Sequence, residues 1–174
     1  MRDWMSLDLT RPVELSNPRS APAPCPRGRP PAPSDADALA QLMLDAYRGT
    51  TDDSGESIDD ARAEVAKLLG GAFGPLDAAV SLVIPSGLAA GSLDSATILT
   101  RDATRIAPGE AFLAFSMTAP HAKRLGLARA GLLHAIHILR ARAEPRLHLV
   151  VTRANTPAVR LYQSLGFVTT DRRP

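Results

Sequence analysis

Residues 112–133 read FLAFSMTAPHAKRLGLARAGLL, and the rest of the chain is organised around this stretch. Residues 112–118 are aromatic and aliphatic, as in a buried strand, and Pro120 stops the run. A short basic segment (His121, Lys123, Arg124) and Gly126 follow, and then a helix with a broad apolar face. Strand, basic glycine turn and helix together build an anion site, because the free N–H groups of the turn and of the helix N-terminus converge on one place. Each exposed helix-terminus interaction contributes only about 0.3–1 kcal/mol, so several N–H groups and the cations must act together. An ordinary strand-to-helix turn with solubilising basic residues is the alternative reading of this stretch alone.

Working outward, residues 1–33 hold eight of the fifteen prolines, in runs such as APAPCPRGRPPAP that sustain neither a helix nor an interior strand. They read as an extended or disordered tail, with only residues 13–15 able to form a stub of strand. Ser34 is placed to cap a first helix that ends near Arg48 and Gly49, and a polar loop leads to a second helix over 58–69, closed by Gly70 and Gly71. Strands are predicted over 78–84, 93–100 and 112–118. A helix over 127–142, a strand over 146–152, a helix capped by Asn155 or Thr156 and ended by Gly166, and a short strand over 167–170 complete the chain. This order predicts a mixed α/β domain over 34–174 with a partly antiparallel sheet.

The 174 residues suit one domain plus a tail. The single cysteine, Cys25, excludes an internal disulfide framework and a Cys-based zinc site. His134 and His137 stand three apart with no third ligand, so no metal is expected. No apolar run is long enough to span a membrane and the N-terminus lacks a secretory apolar core, which predicts a soluble cytoplasmic protein. Net charge is only +2, but acids crowd between Asp35 and Glu64 while arginines dominate from Arg101 onward. That split points to an anionic ligand on the basic half and a cationic one near the acidic half. The arginines are scattered without aromatic interleaving, so nucleic acid is not expected as a partner.

Two motifs in order carry a family resemblance. The first is Lys123-Arg124-Leu125-Gly126-Leu127-Ala128, directly after a strand; the second is Asn155 followed by Leu161-Tyr162-Gln163-Ser164-Leu165-Gly166-Phe167. Over about 34–170 the chain resembles the GNAT superfamily of acyl-CoA-dependent N-acyltransferases. Lys123 stands where Arg or Gln is commoner in that family, and the first strand usual before the first helix is replaced by CPRGRPPAP.

The resemblance implies a GNAT-like mixed, partly antiparallel, splayed sheet flanked by helices on both faces. It implies acetyl transfer from acetyl-CoA, as co-substrate, to a small-molecule amine or a protein amino group by direct attack in a ternary complex. Pantetheine would pair with the backbone of Met117, Thr118 and Ala119. The pyrophosphate would rest on the turn from Lys123, Arg124, Leu125 and Gly126 through Leu127, Ala128 and Arg129, with Asn155 binding CoA or an ordered water. A backbone N–H of Met117 or Thr118 would polarise the thioester carbonyl. Tyr162 would serve the leaving sulfur; a phenol near pKa 10 facing a thiol near 8.5 makes full proton donation uphill by about 2 kcal/mol. Glu110 is the acid beside the central strand and the first candidate for a base, while Asp52, Asp53 and Glu56 lie in a loop that often shapes the acceptor site. A homodimer is compatible with the resemblance, and a catalytically silent acyl-CoA-binding module of the same fold is the alternative.

Overall fold

The computed structural model describes residues 1–11, 27–101 and 106–170. Its centre is a six-stranded mixed sheet in the order β2-β3-β4-β5-β1-β6. The strands are β1 (Arg2–Asp8), β2 (Leu82–Pro85), β3 (Leu93–Thr100), β4 (Ala111–Thr118), β5 (Arg146–Thr152) and β6 (Val168–Thr170). The helices are α1 (Ala36–Tyr47), α2 (Ile58–Leu69), α3 (Leu127–Ala141) and α4 (Thr156–Ser164). The helices α1 and α2 bury Leu39, Met43, Val65 and Leu68 against Val83, Ile98 and Met117. On the other face α3 and α4 bury Leu132, Ile136, Leu139 and Tyr162 against Met5, Leu113, Leu147 and Leu149. The sheet is open and has helices on both faces, as expected.

The predicted boundaries hold closely for β3, β4, α2, α3, β5 and α4. The strand expected over 78–84 begins only at Leu82, because Asp77 folds a turn that takes the N–H groups of Val80 and Ser81. Ser34 does not cap α1. A single helical turn from Pro33 to Asp35 precedes it, and the Asp35 carboxylate accepts the Ala32 N–H at 2.8 Å and both Arg29 guanidinium nitrogens at 2.6 and 2.8 Å.

The chain departs from the expected tail over 1–33 at its very start. Residues 2–8 are a full strand inserted between β5 and β6 and antiparallel to both, with Met5 facing Leu149 and Thr169. None of the first eleven residues is proline, and Met5, Leu7 and Leu9 alternate with Ser6 and Asp8. That period of two buries the three apolar side chains, each at most 5% exposed, beneath α3 and α4. The prolines that set the composition of this region all lie after Arg11. The expected strand stub at 13–15 and Cys25 lie outside the described residues. Where a first strand before α1 is usual, a poor edge segment remains: Arg29 and Val83 exchange two backbone hydrogen bonds and nothing more.

Two features shape the site. The parallel strands β4 and β5 pair only from Ala111↔Leu147 to Leu113↔Leu149; beyond that they part. Across β3, the register of β4 shifts by one residue between Phe115 and Leu113, so Ala114 is an extra bulged residue where the strands diverge. Helix α3 can lie close to the sheet because Gly131 has no side chain: a Cβ there would stand 2.2 Å from Thr97 Oγ1. Among the described residues no helix is long and apolar enough to cross a membrane.

Candidate active site

The parting of β4 from β5 leaves the inner edge of residues 114–118 without a strand. On its other edge, Ala119 donates to the Asp94 carbonyl at 2.9 Å, and Met117 lies opposite Ala96 in the same register. The alternation of an antiparallel ladder therefore turns the Met117 N–H toward β3 and presents the backbone of Ser116 and Thr118 to the opening. Of the two N–H groups expected at a thioester carbonyl, Thr118 faces the opening and Met117 does not. The Ala119 N–H is already used.

At the end of β4 a helical turn from Pro120 to Ala122 leads to extended Lys123, then Arg124 at φ +65° and Gly126 at φ +80°, which caps α3. A Cβ on Gly126 would meet nothing within 4 Å, so within the chain it is the left-handed backbone, rather than crowding, that demands glycine. The backbone bonds in this turn run from Lys123 to Pro120, from Leu125 to Ala122 and from Ala130 to Gly126. They leave the N–H groups of Arg124, Gly126, Leu127, Ala128 and Arg129 without an acceptor among the described residues. Lys123 and Arg124 are exposed beside this cradle, while Arg129 reaches across to Ser164 Oγ at 2.9 Å and so ties α3 to α4. A run of unpaired N–H groups at a helix N-terminus flanked by cations fits a pyrophosphate.

On the far side of the opening lies a cavity of about 600 Å³. Its walls come from α1, the α1–α2 loop, α2, β4, β5 and α4, so the gap between β4 and β5 joins the two faces of the sheet. Tyr162 from one face and Tyr47 from the other both line it. Burial pushes the Tyr162 phenol up to about 12 against the opposing effect of a hydrogen bond with the Ser116 side chain, and the Asp52 charge adds to the rise. Burial likewise raises Tyr47, with Tyr162 and Asp52 adding to the effect. Both phenols therefore stay protonated at neutral pH. Tyr162 is also packed on Phe167, with ring centres 5.7 Å apart.

Asn155 does two things. Its Oδ1 accepts the Ala158 N–H at 3.2 Å, capping α4, and its Nδ2 donates to Asp52 Oδ2 at 2.9 Å. Thr152 Oγ1, at the end of β5, donates to the other oxygen of Asp52 at 2.5 Å. In the sequence Asp52 stands with Asp53 and Glu56 as one of three loop acids near an expected acceptor site; the contacts across about a hundred residues single it out.

Glu110 is not brought to this cavity. It precedes β4 at the end opposite the anion cradle, where it is buried and its Oε2 lies 2.9 Å from His148 Nε2. The Ala107 N–H donates to the same carboxylate at 3.2 Å. A strand advances about 3.3 Å per residue, so the six residues from Glu110 to Ser116 span roughly 20 Å. Phe112, two residues further on and within β4, does line the cavity. His134 carries no partner ligands; among the described residues no three His, Cys, Asp or Glu side chains stand together as a metal site.

An opening between parallel strands, a glycine turn with free N–H groups after the fourth strand and a buried tyrosine on the last helix thus meet around one gap in the sheet. Residues 85–167, just under half of the chain, match the Acetyltransferase (GNAT) family, which supports a GNAT N-acetyltransferase domain here. A 48-residue stretch is 50% identical to a mycothiol acetyltransferase of Thermomonospora curvata, and one of the same length is 48% identical to that of Acidothermus cellulolyticus. Each match covers 28% of this chain and only 16% and 15% of those relatives.

Among solved structures the fold is similar to a GCN5-related N-acetyltransferase from Sphaerobacter thermophilus (TM-score 0.64, 16% identity), over 97% of this chain and 48% of that one. It also resembles the ribosomal-protein-S18-alanine N-acetyltransferase of Escherichia coli (TM-score 0.58, 22% identity), covering 80% of this chain and 75% of that one. A GNAT acetyltransferase from Brucella melitensis solved with acetyl-CoA has TM-score 0.56 and 14% identity, with 84% and 89% covered.

Proposed function

We propose that the domain transfers an acetyl group from acetyl-CoA to a primary amine by direct attack in a ternary complex. The observation that carries this is the opening between β4 and β5, which has an anion cradle beyond one end and a protonated, buried phenol on its wall. Acetyl-CoA supplies a thioester activated toward amines; the remaining work falls to this chain. The unpaired N–H groups of Arg124, Gly126, Leu127, Ala128 and Arg129, with Lys123 and Arg124 beside them, hold the diphosphate. The free edge of β4 at Ser116 and Thr118 offers the backbone bonds an extended pantetheine needs, and its N–H groups stand where a carbonyl oxygen gains negative charge. Tyr162 donates a hydrogen bond toward the leaving sulfur. Asn155 serves through Asp52 and the α4 cap rather than as an isolated contact. Glu110, sequestered on His148, takes no part in proton transfer; the amine's proton leaves through solvent at the cavity mouth.

The cavity admits a small amine or the terminal residue of a protein chain. Two measurements test the reading. Calorimetry should show CoA binding, and thiol release from acetyl-CoA should depend on an added amine. Binding without amine-dependent release would mark a silent acyl-CoA-binding module, and no binding at millimolar CoA would remove the family reading of the site.

A further inference from the structure

Nine carboxylates crowd the first two helices and their loop, and their sum suggests a cationic partner; the structure shows which of them is available. Asp53 accepts the N–H groups of Gly49 and Gly55 and closes the loop. Glu56 is bound by Ser54, Asp60 by Ser57 in the cap of α2, and Glu64 by Lys67. Each of these cavity-lining acids already has a local structural task.

Asp52 differs in every respect. It is half-buried, and both of its donors come from the other half of the chain, at the end of β5 and the start of α4. Two neutral donors fix the carboxylate without neutralising it, and each oxygen keeps a lone pair for a further partner. It lines the same cavity as Tyr47, Tyr162 and Ser116, while Phe73, Phe112 and Phe115 provide apolar wall. Its charge is felt at both phenols. Arg2 and Arg48 also line the cavity but are exposed, where salt screens them most; Asp52 sits deeper.

We infer that Asp52 is the residue that binds the acceptor, receiving the ammonium form of a cationic primary amine in the cavity beside Tyr162; the nitrogen that attacks first releases one proton to solvent at the cavity mouth and reacts as the neutral amine. Asn155 and Thr152 are positioning residues that aim this carboxylate. The acceptor enters from the α1–α2 side, opposite the turn that holds the diphosphate, so the two substrates meet at the gap in the sheet from different faces. This rests on the acetyltransferase reading and adds the charge class of its acceptor.

The test compares acceptors by charge. Thiol release is measured with 1,4-diaminobutane and benzylamine, which are cationic at pH 7.5, and with hydroxylamine, which is uncharged there. The variants are Asp52→Asn and Asp59→Asn. In Asp52→Asn the amide keeps the shape, and the Thr152 hydroxyl can reverse to accept, so the site stays assembled. Asp59 is an exposed acid of α2, paired with Arg62 and outside the cavity lining.

We expect Asp52→Asn to lower the ratio of kcat/KM for the cationic amines to that for hydroxylamine by about ten- to a hundredfold, the range for losing a hydrogen bond to a charged group. The loss should appear mainly in KM, with CoA affinity by calorimetry unchanged. Thr152→Val, which keeps the charge but loosens its aim, should lower the ratio by a smaller factor, and Asp59→Asn should leave it where it was. An unchanged ratio in Asp52→Asn, or an equal fall in Asp52→Asn and Asp59→Asn, would overturn the inference. Failure of the unaltered protein to bind CoA would instead bring down the acetyltransferase reading beneath it.

Discussion

Replacing Tyr162 with phenylalanine removes one hydroxyl and leaves the ring against Phe167 and the α4 core. The size of the effect follows from the phenol's environment. Burial holds it at about 12, whereas a free thiol titrates near 8.5. Complete proton transfer to a leaving thiolate would be uphill by about 3.5 units, or roughly 5 kcal/mol. Tyr162 therefore acts as a hydrogen-bond donor that stays protonated, and what the variant loses is one hydrogen bond to developing charge. Such a bond contributes about 1.5–3 kcal/mol, so kcat should fall about ten- to a hundredfold, with little change in the affinity for CoA. The assay is amine-dependent thiol release across pH 6 to 10, with CoA binding followed in parallel. The unaltered enzyme should show no loss of rate from Tyr162 ionisation within that range. Full turnover by Tyr162→Phe would show that the tyrosine only packs at the helix–sheet seam. A basic limb that disappears in the variant would show that the phenol titrates there and would refute the reasoning.

Gly131→Ala should destabilise the fold by about 1–3 kcal/mol, because the added Cβ meets Thr97 Oγ1 at 2.2 Å; thermal unfolding measures it, and a double variant with Thr97→Ala should recover part of the loss. Met5→Ala tests whether the first strand is integral: a side chain 1% exposed costs about 2–5 kcal/mol when truncated, enough to lower Tm by at least about 4 °C, whereas truncation in a tail would leave Tm unchanged.

Much of this was legible along the chain because it depended on neighbours. The period of β5, the proline and asparagine opening α4, and the glycine turn at Gly126 are local signals, and they fell where the sequence put them. Met5, Leu7 and Leu9 carried an equally local signal, but it was short and lay beside a proline-rich segment whose composition dominated. That β1 enters between β5 and β6 was not local information at all. An antiparallel strand of alternating character fits many edges, and only the buried surface beneath α3 and α4 selects one. Gly131 looked like an ordinary helical residue, because the reason for it stands on another element, at Thr97.

The site divides in the same way. By itself the sequence located the glycine turn ahead of α3, the tyrosine on one face of α4 and a helix cap at Asn155 or Thr156, since each is written in a few consecutive residues whose backbone geometry they dictate. Only the tertiary structure decided which backbone groups of β4 face the opening, because that parity depends on pairing with β3. It also separated Glu110 from Asp52. Both are acids near central elements, but the packing of β4 against β5 turns Glu110 toward His148. The convergence of the α1–α2 loop on Thr152 and Asn155 brings Asp52, about a hundred residues away in sequence, into the cavity beside Tyr162.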